Sequence, residues 1–284
     1  MGLKEVIKAA EEKGVAIGHF NFAESTVAEA AAEAAQELGV PVILGTSEGE
    51  RGFLGKEFLR DLIYGHRKSI DSVVHVAVFF NADHTKSLEK IKEAVEIGYD
   101  SILFDGSELP LEENIARTRE VVEYVKKTKP EILVEGEIGY IGSGSKVHEA
   151  VPEGIQLTSV EDAVRFVQET GVDLLAPAVG NVHGIVKTGE PKLDIERIRA
   201  IKQAVKIPLV LHGASGNSDE DIRAAIKAGI TIVHINTEVR VAWQKALHDE
   251  LHRAPAEIAP YKIMAAAKEA AKKVISGKLK LFAT

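Results

Sequence analysis

The stretch Pro208–Ala228, PLVLHGASGNSDEDIRAAIKA, contains the plan that the rest of the chain repeats. Its first residues, Pro208–Gly213, are apolar without polar alternation until His212, as expected of a parallel strand buried on both faces. The turn Gly213-Ala-Ser215-Gly216 follows, and then a helical pattern over Asp219–Ala228 that opens on Asn217-Ser-Asp-Glu-Asp. Strand, histidine, glycine turn, helix: the ionisable residue stands where the strand hands over to the loop.

Outward from there the pattern recurs. Apolar runs occupy Val15–Asn21, Pro41–Thr46, Ser72–Asn81, Ser101–Gly106, Ile132–Ile138, Leu174–Gly180 and Thr231–Thr237, which with Pro208–Gly213 makes eight. Between them lie Ser25–Leu38, Lys86–Ile97, Leu111–Lys127, Ser159–Glu169, Asp194–Val205 and Asp219–Ala228, with apolar residues at helical spacing. Eight strands alternating with helices over 284 residues predict one domain, 1–284, folded as a (β/α)8 TIM barrel. An Ala/Lys-rich amphipathic helix over about Tyr261–Lys280 is expected to be a packed terminal helix, with the barrel bottom and another subunit as the two further places it could serve. A dinucleotide-binding sheet would need three glycines after a strand; Gly142-Ser-Gly144-Ser-Lys has two and reads as a mobile glycine loop.

A net charge of −8 supplies no field to attract nucleic acid or an anionic membrane. The absence of cysteine removes disulfides and thiolate metal sites. The N-terminus MGLKEVIKAAEEKG is charged and helical with no signal-like apolar core, so the expected location is the cytoplasm.

In a barrel of this kind chemistry sits at the C-terminal ends of the strands. Nearly every run ends in a polar or ionisable group. The ends carry His19 and Asn21; Ser47; Asp83 and His84; Asp105; Glu135 and Glu137; His183; His212; His234, Asn236 and Thr237. His84, His183 and His212 come from strands three, six and seven. Three imidazoles converging over the axis with one position left open make a catalytic zinc site. Asp83, beside one presumed ligand, is placed to act as general acid/base. Asp105 and Glu137 are expected to hold a second metal position or to orient the imidazoles; Glu135 is expected to point away from Glu137's face or to lie between them, with less of a role. Phosphate binding is expected where glycine turns meet helix N-termini: Gly184 to Lys187, Gly213 to Ser215, and Asn236-Thr237.

Taken together, these residues resemble the class II (zinc) fructose-bisphosphate and tagatose-bisphosphate aldolases. The similarity runs from about Asn21 to Arg240 through Phe20-Asn21, Asp83-His84, Asp105–Ile115 (DGSELPLEENI), Glu135–Gly139 (EGEIG), Gly180–Gly184 (GNVHG), Leu211–Gly216 (LHGASG) and Asn236–Glu238 (NTE). The resemblance implies Zn2+ on His84, His183 and His212, with Asp105 and Glu137 at a supporting position. It implies Asp83 as acid/base in the reversible cleavage of a ketose 1,6-bisphosphate to dihydroxyacetone phosphate and glyceraldehyde 3-phosphate by enediolate chemistry. It implies substrate and phosphate contacts from Asn21, Ser47, Gly184, Lys187, Gly213, Ser215, Asn236 and Thr237. A monovalent cation, Na+ or K+, near the phosphate and a homodimer or homotetramer are also implied. Three positions depart from the family pattern: His234 stands where the family has an asparagine that contacts the enediolate, Ala214 replaces a glycine, and the loop at 143–149 lacks the usual acidic segment, leaving Glu149 and His148 as candidate acids. A zinc-hydroxide hydrolase and a non-catalytic metabolite-binding barrel stand as alternatives; the single His19 on strand one, instead of a His-x-His pair, counts against the hydrolase.

Overall fold

The computed structural model describes residues 2–69, 76–142, 144, 146–151, 155–188 and 191–284. Ten strands are described: β1 (Ile17–Asn21), β2 (Val42–Thr46), β3 (Val78–Thr85), β4 (Ser101–Phe104), β5 (Leu133–Ile138), β6 (Val147–His148), β7 (Leu174–Pro177), β8 (Ile185–Val186), β9 (Leu209–Leu211) and β10 (Ile230–His234). Eight of them close into a parallel barrel in the order β1-β10-β9-β7-β5-β4-β3-β2, with helices outside, so the fold is the expected (β/α)8 barrel. The other two, β6 and β8, form a separate two-stranded ribbon beside the barrel mouth that the apolar runs did not announce.

The period of two within each strand sorts the barrel interior into layers. The lowest inward positions, Ile17, Ile43, Phe79, Leu133, Leu174, Val210 and Ile232, pack together with Leu3, Val6, Ile7 and Ala10 of the helix Leu3–Lys13. That helix closes the barrel bottom, a task the sequence reading had offered to the C-terminal helix. The C-terminal helix, Pro260–Phe282, lies instead along the outside, against Ser25–Leu38 and Thr237–Arg253. Its buried stripe Ala267, Ala271, Ile275, Leu279 and Phe282 supplies the driving force, roughly 1.5–3 kcal/mol for each large side chain. The pairs of Lys268 with Glu29 and Glu33, and of Lys272 with Glu33 and Glu37, border that stripe and add little each.

Outward-facing strand positions meet the helices in a continuous apolar sheath that includes Phe20, Leu44, Phe80, Ile102, Val134, Leu175, Leu211 and Val233. Several helices start where a serine hydroxyl (Ser87, Ser159 or Ser218) accepts the N–H of the third residue onward. The third strand differs from expectation: residues 72–75 lie outside the described residues, and β3 starts at Val78 and runs on through Asp83 and His84 to Thr85. The glycine-loop residues 143 and 145 also lie outside them.

Candidate metal centre and active site

One layer above the apolar plug, the same inward phase presents His19, Gly45, Asn81, Glu135, His212 and His234, each two residues beyond a plug residue. Asp83 and His84 break that phase. Between β3 and β4 the register advances three residues on one strand and two on the other, from Ala82↔Ile102 to Thr85↔Phe104. This is a β-bulge, and His84 takes a positive φ of 39° within it. The extra residue turns two neighbouring side chains, Asp83 and His84, toward the same cavity. Arg51 fastens the bulge: its buried guanidinium donates to the carbonyls of Thr46 and Asp83 and to Thr85 Oγ1.

His84, His183 and His212 meet over the barrel axis. Their ring centroids are 4.9, 5.1 and 6.1 Å apart, and one nitrogen of each lies within 4.8 Å of the others. The second nitrogen of each is held from behind. His84 Nδ1 donates to Asp105 Oδ2 at 2.9 Å, His183 Nδ1 donates to the Gly142 carbonyl at 2.8 Å, and His212 Nε2 lies 2.7 Å from Glu135 Oε1. Outer partners of this kind orient the rings and leave one nitrogen of each turned toward the shared focus, the arrangement that metal-binding histidines adopt. Glu137 Oε2 lies 3.5 Å from His84 Nδ1, and both Glu137 carboxylate oxygens are buried without a hydrogen-bond partner. His84, Asp105 and Glu137 form a second group of convergent ligand atoms.

The protonation pattern fits a cation site. Burial alone disfavours His84 as imidazolium, but Asp83, Asp105 and Glu137 overcome it and raise its pKa to about 10. Burial raises Glu135 to about 8 and Glu137 well above the usual carboxylate range. Burial, with the charge of His84, lowers His183 to about 4 and His212 well below the ordinary imidazole value. The donors therefore include two neutral imidazoles, and the proton on His84 occupies charge space that a divalent ion would take over on binding. All-nitrogen, tetrahedral-capable donors with oxygen groups behind them suit zinc.

Asp83 sits at the edge of this cluster. Burial works to raise its pKa, but His84, His19, His212 and the hydrogen bond from Asn21 outweigh it, leaving the carboxyl ionised well below the usual range. Asn21 Nδ2 donates both to Asp83 Oδ2 and to Glu50 Oε2, each at 2.9 Å. Glu50 in turn accepts from the Ser47 backbone N–H and hydroxyl and pairs with Arg240. Asp83 Oδ1 has no hydrogen-bond partner, so one oxygen of a fixed carboxylate stays open toward the cavity.

The cavity above these groups has a volume of about 260 Å³, the size of a compact polar metabolite. Asn21, Ser47, Asp83, His84, Asp105, His183, Gly184, His212, Gly213, Ser215, His234, Asn236 and Thr237 all line it, so most of the residues singled out from the sequence come together. Gly213, at φ +58°, lets the turn after His212 approach the Val182–His183 backbone. Asn236 and Thr237 open the 17-residue helix Thr237–Arg253 onto the same space, where N–H groups and helix dipole favour an anion.

Two expectations fare differently. Lys187 does not line the cavity: its ammonium pairs with Glu149 at 2.6 Å on the surface. Glu149 and His148 do not line it either among the described residues. Glu135, for which the sequence left open a direction away from Glu137's face, is buried against His212 on that same face, because positions two apart on a strand share a face. His19 was likewise passed over although Ile17 and His19 continue one inward row. Among the described residues, the lysine and arginine side chains that line the cavity are Lys86 and Arg240.

With this geometry, comparison with known proteins is unambiguous. The family model described as "Fructose-bisphosphate aldolase class-II" matches residues 1–284. A fructose-bisphosphate aldolase of Staphylococcus aureus is 37% identical over 285 residues, covering 100% of this chain and 97% of its own length. That of Geobacillus stearothermophilus is 35% identical over 283 residues, covering 99% and 96%. Among solved structures, the YdjI aldolase of Escherichia coli K12 superposes with a TM-score of 0.83 at 32% identity, over 99% of this chain and 96% of the other. A fructose-bisphosphate aldolase of Campylobacter jejuni, at 22% identity, gives a TM-score of 0.77 over 99% and 93% and bears on the fold alone. A barrel with a trio of inward histidines and an ionised aspartate at its mouth, matched along its whole length in this way, belongs to the class II fructose-bisphosphate aldolase family.

Proposed function

We propose that this chain reversibly cleaves fructose 1,6-bisphosphate to dihydroxyacetone phosphate and glyceraldehyde 3-phosphate, with Zn2+ held by His84, His183 and His212. The observation that carries this reading is the triple second-nitrogen pattern: three imidazoles share one focus, and each is pinned from behind by Asp105, the Gly142 carbonyl or Glu135. Asp105 and Glu137 form the supporting position. A cation held there would supply Lewis acidity toward the substrate ketone.

The protein's own groups do the rest. Asp83 Oδ1, ionised and unpartnered, takes the proton of the C4 hydroxyl while Asn21 holds the other carboxylate oxygen and fixes the approach. The turns at Gly184 and Gly213, the Ser215 hydroxyl and the helix start at Asn236-Thr237 receive the dihydroxyacetone-phosphate end, compensating for the absence of Lys187 from the cavity. A monovalent cation beside that phosphate belongs to the same reading, as do a cytoplasmic location and a homodimeric or homotetrameric assembly. Among the described residues no helix is long and apolar enough to cross a membrane.

The test is a coupled triose-phosphate assay on fructose and tagatose 1,6-bisphosphates. Activity lost on chelation, restored by zinc and not trapped by borohydride is expected. Zinc-loaded protein that releases inorganic phosphate, or binds fructose 1,6-bisphosphate without cleaving it, would refute the proposal.

A further inference from the structure

His19 and His234 lie one behind the other in the wall of the site. Their rings are parallel, with centroids 3.5 Å apart and an interplanar angle of 5°. His234 is gripped on its other side by His212, at 3.9 Å and 41°. His234 lines the cavity with Nδ1 at 3.8 Å from Asp83 Oδ1, whereas His19 does not reach the cavity. His19 is held by its own contacts: Nε2 lies 3.3 Å from Asn81 Oδ1, and Asn81 Nδ2 donates to Ser101 Oγ at 2.7 Å. Space for the ring exists because residue 45 is glycine; a Cβ there would stand 2.2 Å from His19 Cε1 and 2.5 Å from Nε2.

His19, Asp83 and His234 offer ligand atoms within 4.8 Å of one another, which raises the thought of another metal site. The stack argues against it. An imidazole lone pair lies in the ring plane, and two parallel rings 3.5 Å apart cannot both direct theirs at one ion. What the stack does instead is restrict rotation. A histidine side chain has a soft second torsion with two broad wells. A ring clamped between His19 and His212 cannot flip without moving one of them.

We propose that His19 is a positioning residue: its flat face locks the His234 ring in the orientation that turns Nδ1 toward Asp83, and it acts on the reaction only through His234. This rests on the aldolase reading for its kinetic test, but the orientation itself is readable without substrate or metal. His19→Phe keeps a flat face and is expected to retain function, whereas His19→Ala releases the ring. With His19→Ala, kcat is expected to fall by about tenfold to a hundredfold with KM and zinc content little changed, as for a misplaced group beside the reacting atoms. In a His234→Asn background, His19→Ala should have little further effect, because the two act as one unit.

Imidazole nitrogen spectra of the metal-free protein give the second readout. His234 should show one tautomer in wild type and His19→Phe, and averaged tautomers in His19→Ala. Should His19→Ala fail to fold, His19→Leu fills the volume without a flat face and takes its place in both measurements. Equal losses from His19→Phe and His19→Ala, additive losses with His234→Asn, or an unchanged His234 spectrum in His19→Ala would each overturn the proposal. Wild-type protein that cleaves no ketose bisphosphate would refute the function instead, and the spectra would still decide the role of His19.

Discussion

Gly213 joins two of the three converging histidines, and replacing it by alanine tests whether that close approach organises the site. A Cβ at this position would stand 2.5 Å from the Val182 carbonyl oxygen, 2.6 Å from its carbon and 3.0 Å from the His183 nitrogen. All three are backbone atoms, so no side chain can swing aside; the two segments must part by about 1 Å to reach ordinary van der Waals contact. The φ of +58° adds a left-handed penalty of about 1–2 kcal/mol for alanine. Overpacking of a tight contact adds about 1–3 kcal/mol. Together these give about 2–5 kcal/mol, which for 284 residues lowers Tm by roughly 3–8 °C. Because the separation falls between His183 and His212, zinc affinity should drop about tenfold or more. Differential scanning calorimetry on the metal-free protein and a chelator-competition titration measure the two effects. A Gly213→Ala protein that melts within about 1 °C of wild type and binds zinc equally well would refute the reasoning.

Other changes isolate single groups. Asp83→Asn should cut kcat by about a hundredfold to ten-thousandfold while KM moves little, read by the triose-phosphate assay. Glu135→Gln should weaken zinc binding about tenfold to a hundredfold, since it removes the ionisable group behind His212 whose negative charge would support a bound cation, as competition titration would show. The same variant has a pH signature. The Glu135 pKa is raised by burial to about 8, so its contribution to folding is complete below the ordinary carboxylate value and is lost as pH rises toward 8. Metal-free Glu135→Gln should therefore gain on wild type between about pH 4.5 and 8 in denaturant unfolding; a constant difference would contradict it. Gly65→Ala, in the interior of the helix Lys56–Ser69 with open space around its Cβ, should stabilise by about 0.5–1 kcal/mol without touching activity, as urea midpoints would show.

The barrel was legible because eight short, mainly apolar runs without polar alternation each lead to a polar residue, and a closed eight-strand parallel sheet satisfies that pattern everywhere at once. His84 and His212 were legible for the same reason, as histidines at or just past the end of a mainly apolar strand, whereas His183 stands in the loop six residues beyond β7 and was legible through the glycines that flank it at 180 and 184. Glu135 and His19 were passed over although the evidence lay in the period of two, since Leu133, Glu135 and Glu137, and likewise Ile17, His19 and Asn21, share a face. Lys187 failed in the other direction. Its position in the chain beside Gly184 said nothing about Glu149, 38 residues earlier, which the β6·β8 ribbon brings against it. The helix Glu48–Leu54 was passed over although Ser47-Glu48-Gly49-Glu50 has the capping-box spacing that marks a helix start; seven residues long, it carries too few apolar positions to show a helical period.

The bulge in β3 has a consequence for anyone who wishes to move this chemistry elsewhere. Copying the identities of the ionisable side chains onto a regular barrel would face Asp83 and His84 in opposite directions, one inward and one into the helical layer. A faithful transplant must bring one surplus residue, a backbone able to tolerate His84 at φ +39°, and a guanidinium equivalent to Arg51 to hold the kink shut. The unit that can be inherited or engineered is thus a defect in the strand together with its fastener, and not a set of letters.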